Sequence, residues 1–295
     1  MGDWPLYLVY RVFSGLFGLL PEPAMRRSGE AVGRLAWRLA GKRRRLVERH
    51  LRRVVGTNGD IASLSKAMFA SYGRYWAEVF WTRPRRKEQI VAGCSLEGED
   101  LIHQAAAQGV GIVLALPHMG NWESAGAKAE AIGIPVLAAA EGLSNEKIVD
   151  WFVGVRRALG IETVIMGKGR KVTASLARRL KEGGVIALVS DRDVSGRGIA
   201  VEFFGERTTM PAGPVALAER TGAVLLPVGC YFVAGGGHRF VVRPPLEIPE
   251  EGSRDERVAA GTQAFATVLE DLIREAPQDW HLFVPNWPSD HEATA

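Results

Sequence analysis

Between Gly111 and Gly126 the chain reads Gly-Ile-Val-Leu-Ala-Leu-Pro-His-Met-Gly-Asn-Trp-Glu-Ser-Ala-Gly, with His118 and Glu123 five residues apart. Histidine is the side chain best suited to moving protons near neutral pH, and a nearby carboxylate can assist it. The apolar run from Val110 to Leu116 predicts a buried parallel strand. Pro117 stops it, Gly120 and Asn121 supply turn and helix-cap chemistry, and helical spacing runs from Trp122 to Ile132. His118 is therefore expected where a strand hands over to a helix, the place where open α/β sheets bind ligands. On one continuous helix a five-residue step means roughly 500° of rotation, so the two side chains would diverge by about 140°. They can share a site only if His118 stays in the turn and Glu123 opens the helix, whose N–H groups then face the same corner. The alternative is a turn histidine that caps the helix, and His-x4-Glu alone does not decide between them.

A second stretch, Leu188 to Gly198, again follows an apolar strand and places Asp191 at a comparable strand end. An acid beside a histidine orients it and stabilises its protonated form. Asp191, Glu123, Asp193 and Glu202 all compete for that role. Arg156, on a helix expected over 144–159, offers a guanidinium that can grip a carboxylate or phosphate, or is a surface neighbour of Arg157. There is no Gly-x-Ser-x-Gly elbow, no P-loop and no Gly-x-Gly-x-x-Gly after a strand. The six histidines show no metal-ligand spacing, and no metal is expected. A histidine base without a built-in nucleophile suggests activation of a substrate hydroxyl, which is transfer chemistry.

The elements that must hold these residues fall into two parts of a single domain, 1–84 and 85–295. With 295 residues, 47% of them hydrophobic and 24% charged, the chain can bury a large core. Cys94 and Cys230 are expected as buried, reduced thiols of a cytoplasmic protein. Trp4 to Leu20 is too short for the ~20 apolar residues of a membrane span and carries Arg11; it reads as a helix that packs on the body or lies in a membrane interface. Met25 to Val55 is an amphipathic helical stretch broken near Gly41, with eleven Arg and Lys between Arg26 and Arg53 against Glu30 and Glu48. Such a face suits solvent, anionic lipid or nucleic acid. After the turn Gly56–Gly59, a helix over 61–83 carries an aromatic stripe. From there strands at 95–97, 110–116, 134–139, 163–166 and 185–190 alternate with helices at 98–108, 121–132, 144–159 and 170–182. Strand 201–204, helix 212–221, strands 223–233 and 238–243 around Gly235–Gly237, and helix 254–275 complete the pattern. The alternation predicts an α/β fold: a mostly parallel central sheet flanked by helices, with an antiparallel hairpin at the glycines and an N-terminal membrane-docking region.

In combination these segments resemble a known family. His118-x4-Glu123 is similar to the His-x4-Asp/Glu motif of the glycerolipid and lysophospholipid acyltransferases. The chain looks most like the branch of the bacterial lipid A lauroyl and myristoyl acyltransferases. The likeness includes Pro117-His118-Met-Gly-Asn121-Trp122-Glu123, Ser190-Asp191-Arg192-Asp193, Val201–Gly205, Pro211–Ala218, Thr221-Gly-Ala and Asp279-Trp280-His281. Within that branch, the Arg-rich N-terminal third and the ending from Gln278 to Trp287 resemble the actinobacterial phosphatidylinositol mannoside acyltransferases. The resemblance implies an apolar acyl tunnel and transfer of an acyl chain, commonly palmitoyl, from acyl-coenzyme A to the 6-hydroxyl of a mannose on phosphatidylinositol mannoside. It implies no cofactor, coenzyme A being a co-substrate, and no nucleic-acid partner. It casts His118 as general base, Glu123 as the motif acid and Asp191 as the acid that orients the histidine. Arg156, holding that acid or the headgroup phosphate, falls with Asn121 and Arg192 on the substrate-binding side, and helix N–H groups after His118 serve the oxyanion. A peripheral protein on the anionic cytoplasmic face of the plasma membrane is the expected setting. The rival classes are the same chemistry on another glycolipid, lipid A precursor or lysophospholipid, a hydrolase, and a non-catalytic basic binding protein.

Overall fold

The computed structural model describes residues 3–57, 59–142, 144–166 and 171–292. Two expectations fall partly outside them: the turn at 56–59 includes Asn58, and the helix over 170–182 begins at Arg170. The N-terminal third is helical: α1 (Asp3–Leu19), α2 (Glu22–Leu39), α3 (Gly41–Val55) and α4 (Ile61–Trp81). The basic stretch breaks at Ala40, one residue before Gly41. A 3₁₀ turn (Pro84–Arg86) and a short helix, α5 (Lys87–Ala92), lead into the core, and periodicity had indicated neither.

The core then alternates as β1 (Cys94–Glu97), α6 (Glu99–Ala107), β2 (Ile112–Leu116), α7 (Trp122–Ala131), β3 (Val136–Glu141), α8 (Glu146–Leu159), β4 (Glu162–Met166), α9 (Lys171–Lys181) and β5 (Val185–Val189). It continues through β6 (Ile199–Phe203), β7 (Glu206–Met210), α10 (Gly213–Thr221), β8 (Val224–Phe232), β9 (His238–Val242), α11 (Arg254–Glu275) and α12 (Pro288–Glu292). Among the described residues the main sheet has the order β1-β9-β8-β2-β5-β3-β4. Its pairs are parallel except β8–β9, which turn at Gly235–Gly237 as the glycines predict.

β2 is buried on both faces, which explains its unbroken apolar sequence. Val113 and Ala115 face the core built with α3, α4, α10 and α11, while Ile112, Leu114 and Leu116 face the core beneath α6 and α7. One strand departs from expectation. β6 does not join the main sheet; it pairs antiparallel with β7 across Phe204-Gly205, both at positive φ. Two such residues make the tight hairpin turn that matches strand twist. The polar run Glu206-Arg-Thr-Thr-Met210 hid β7, because its buried positions are only Thr208 and Met210.

α1 both packs and projects. Tyr10 meets Trp76, Phe80 and Trp151 edge-on, and Phe17 stacks on Phe80, while Leu8, Val12, Leu16 and Leu19 stay exposed. Among the described residues no helix is long and apolar enough to cross a membrane. α2 lies hard against α4: a Cβ on Gly33 would collide with the Phe69 carbonyl, so glycine is required for this approach.

Candidate active site

β2 and β5 are parallel neighbours in register, with Leu116 opposite Val189. Two residues beyond each lie His118 and Asp191, so the sheet delivers them side by side. Ser190 N–H donates to the Leu116 carbonyl at 2.9 Å and carries the ladder one step past the strand. His118 Nδ1 lies 2.5 Å from Asp191 Oδ1. Asp191 is fully buried. An ionised carboxylate only accepts, so Nδ1 carries the proton and Nε2 presents its lone pair outward. The His118 side chain is 24% exposed and can meet a substrate. Burial acts to raise the Asp191 pKa, but the charge and hydrogen bond of His118, with a donor from Trp280, outweigh it and hold it lowered.

Trp280 supplies that donor at the other oxygen, Nε1 to Oδ2 at 2.8 Å. Its neighbours grip the turn before α7. Gly120 N–H donates to the Asp279 carbonyl at 2.8 Å, and His281 N–H to the His118 carbonyl at 2.6 Å. Gly120 is left-handed, and a Cβ there would strike the Cys230 carbonyl. Sequence reasoning carried Asp279-Trp280-His281 only as part of a likeness. Its signal was a polar–aromatic–polar triplet after a long amphipathic helix.

Glu123 does not join His118. It is the second residue of α7, and its carboxylate turns to Arg156, whose Nε donates at 3.1 and 2.9 Å and Nη2 at 2.9 Å. Burial pulls the Arg156 pKa down, but Glu123 outweighs it and holds it raised. Arg156 accordingly holds Glu123, not Asp191. The two competing acids are also placed elsewhere. Asp193 folds its own loop, accepting from Ser195, Gly196, Gly198 and Thr209, and Glu202 is exposed on β6.

Asn121 caps α7 as its sequence position predicts, accepting from Ser124 N–H at 3.1 Å. Its amide donates to Glu78 Oε2 on α4 at 2.7 Å, and the residue is buried, so it fixes the turn from behind rather than facing the open side of His118. Glu78 also accepts from Arg26 and Arg74. Arg192 follows Asp191 at the partly exposed edge and, like Arg43 of α3, acts electrostatically on the Tyr72 hydroxyl. With the Gly120, Ser124 and Ala125 N–H groups committed, those of Trp122 and Glu123, at the start of α7, are left without intrahelical acceptors.

Beneath α7 lies a narrow apolar cavity of about 70 Å³ that opens toward solvent. Small residues make the room: Ala125 and Ala129 on α7 face Ala138 and Ala187 on the sheet. Leu116, Val189 and Trp122 bring it toward His118, whose ring meets Trp122 edge-on at 5.6 Å. The Glu123–Arg156 pair lines its wall. Among the described residues there is no cluster of metal-ligating side chains.

A sequence model described as bacterial lipid A biosynthesis acyltransferase matches residues 3–289. The chain is 38% identical over 276 residues to a phosphatidylinositol mannoside acyltransferase of Mycobacterium tuberculosis (strain ATCC 25618 / H37Rv), covering 92% of this chain and 85% of that protein. It is 40% identical over 249 residues to a phosphatidylinositol mannoside acyltransferase of Mycolicibacterium smegmatis (strain ATCC 700084 / mc(2)155), covering 83% and 79%. A match of this length, around a strand-end histidine–aspartate pair beside an apolar cavity, means that the chain belongs to the bacterial lipid A biosynthesis acyltransferase family.

Proposed function

We propose that this chain transfers an acyl group, palmitoyl by preference, from acyl-coenzyme A to the 6-hydroxyl of a mannose on phosphatidylinositol mannoside. The observation that carries the reading is the His118–Asp191 pair, open at Nε2 and set beside the apolar cavity under α7. In this reading the acyl chain enters at the cavity, which widens as α7 shifts to admit it, with its thioester carbonyl at the His118 end. Nε2 takes the proton from the mannose hydroxyl as its oxygen attacks the carbonyl carbon. Asp191 holds Nδ1–H and stabilises the imidazolium that forms. The first N–H groups of α7 stabilise the oxyanion. Collapse breaks the C–S bond, and the imidazolium returns the proton to the departing thiolate. No cofactor or metal takes part, and coenzyme A leaves as product. Glu123 and Arg156 act as a pair that shapes the cavity wall, and Arg192 at the partly exposed edge meets a phosphate of either substrate.

The exposed apolar side of α1, with Val32, Leu35 and Leu39 of α2 and the arginines of α2 and α3, supports docking on an anionic leaflet at its cytoplasmic face. Removing α1, or neutralising Arg43, Arg44 and Arg45, is expected to weaken binding to anionic vesicles. Equal binding by all variants would remove membrane docking from the reading.

The decisive assay supplies palmitoyl-coenzyme A and mannosylated phosphatidylinositol to the full chain and to His118→Ala, with products read by mass spectrometry. The acceptor is expected to gain one palmitoyl group only with the unaltered chain. Transfer to lysophospholipid but not to the mannoside would displace the acceptor assignment. Free palmitate released at the same rate without acceptor would mean a hydrolase.

A further inference from the structure

We infer that the segment from Asp279 to Asp290 is a clamp on the catalytic pair, and that Trp280 is the positioning residue that keeps Asp191 in line with His118. This rests on reading His118 and Asp191 as the acid–base pair of acyl transfer. The two oxygens of the buried Asp191 carboxylate have separate partners. Oδ1 meets His118, and Oδ2 accepts from Trp280 Nε1. With Oδ2 tethered, the carboxylate cannot turn about its Cβ–Cγ bond without losing a hydrogen bond, so Oδ1 stays aimed at Nδ1. An indole N–H only donates, so it supports the ionised acid and cannot compete for the proton.

The indole itself cannot swing. Trp280 is fully buried and meets Phe203 and Trp287 edge-on, at 6.1 and 6.3 Å. Its backbone forms an antiparallel bridge with Met119, between the bonds from Gly120 to Asp279 and from His281 to His118. One three-residue segment therefore sets the backbone that carries the base and the side chain that orients the acid.

The far end of the segment is tied as firmly. Asp290 Oδ2 accepts from the N–H groups of Asn286 and Trp287 at 3.1 and 3.3 Å and faces His50 Nε2 at 2.9 Å. Arg53 Nη1 reaches Oδ1 at 3.1 Å. Asn286 Nδ2 lies 3.5 Å from the Asp191 carbonyl. The charged groups nearest the dyad include Arg192, next to Asp191 in the chain, and Asp279, whose carbonyl holds Gly120 and whose carboxyl burial raises to about 6. His281 acts on both members but is neutral, because burial lowers its pKa to about 3, and the His50–Asp290 pair lies behind the Trp280 ring.

The test uses the full chain with three changes at the two neighbouring tryptophans: Trp280→Phe, Trp280→β-(3-benzothienyl)alanine and Trp287→Phe. The benzothienyl ring keeps the shape of indole and replaces N–H by sulfur, so it reports the lost donor even if Trp280→Phe fails to fold. Acyl transfer is measured from pH 5 to 9. Loss of one hydrogen bond to a buried charge is expected to lower kcat about ten- to a hundredfold with little change in KM. The acid limb of the profile, which belongs to the His118–Asp191 pair as a unit, should rise by roughly one pH unit, since the carboxylate with one donor fewer holds the pair's proton more strongly. Trp287 donates to the Phe203 carbonyl instead, so Trp287→Phe should lower the melting temperature and leave the limb in place. An unmoved limb and unchanged kcat in the benzothienyl variant overturn the clamp. Full activity of Asp191→Asn would overturn the acid–base reading itself, and the clamp with it.

Discussion

Two histidine–aspartate pairs sit on either side of Trp280, and only one leaves an imidazole nitrogen open. His118 and Asp191 share a hydrogen bond through Nδ1, and His118 Nε2 has no partner among the described residues. His50 and Asp290 share one through Nε2, but His50 Nδ1 also faces the Leu282 carbonyl at 3.2 Å, and the ring is fully buried. Asp290 is further committed to Arg49, Arg53 and two backbone N–H groups. The residue types are the same. What differs is whether one imidazole nitrogen stays accessible. The His50 pair uses both nitrogens to join α3 to the chain after α11; the His118 pair keeps one in reserve, as the proposed base requires.

The largest effect that tests this contrast is on rate. His118→Ala and Asp191→Asn are expected to lower initial acyl-transfer rates by about 10²–10⁴-fold, whereas His50→Phe should keep measurable turnover while the protein remains folded. Equal losses in both pairs would erase the distinction. Next comes stability. Asp290→Ala removes the centre of a buried charge network and is expected to cost about 3–5 kcal/mol in urea unfolding. A loss below about 1 kcal/mol would show that the second pair is incidental.

The smallest effect lies in pH dependence, where two buried acids should act in opposite senses. The Asp290 pKa is driven far down: burial opposes this, but His50, the Asn286 N–H and Arg53 prevail. Its contribution to stability is therefore present above the unfolded value and lost as pH falls toward the folded one. Asp279, which accepts from Ser71 and Phe232, is raised by burial from 3.8 to about 6. Its contribution is present below pH 3.8 and lost as pH rises through about 6, at most ~3 kcal/mol. Unfolding titrations at pH 4 and pH 7 should show Asp279→Asn less sensitive to pH than the unaltered chain. The same slope in both would mean that Asp279 ionises normally.

The sequence made the backbone of the site legible because each step had a local cause. Apolar runs stopped by Pro117 and followed by Gly120 and Asn121 are enough to place His118 at a strand end, and Asp191 follows by the same logic after Leu188. The partner of Glu123 was not legible. Which way a side chain leaves the first turn of a helix depends on α8 packing beside it, and five-residue spacing holds no record of Arg156. Nor was β7, where alternation is masked by threonine and arginine. The Asn121 cap was readable, but its second bond to Glu78 depends on α4 crossing behind the turn, a contact 43 residues away in sequence. Trp280 lies still further from its partner, 89 residues after Asp191. Only the folded chain relates them.

That separation also sets an order of events during synthesis. The chain is made from its N-terminus, so every strand of the central sheet, and the residues around the cavity, exist before Trp280 does. A growing chain can thus gather its apolar interior while Asp191 still lacks its second anchor and the turn at His118 still lacks its backbone partner. A chain interrupted between Val242 and Asp279 would hold every residue that lines the cavity and yet leave Asp191 and the turn at His118 without these partners.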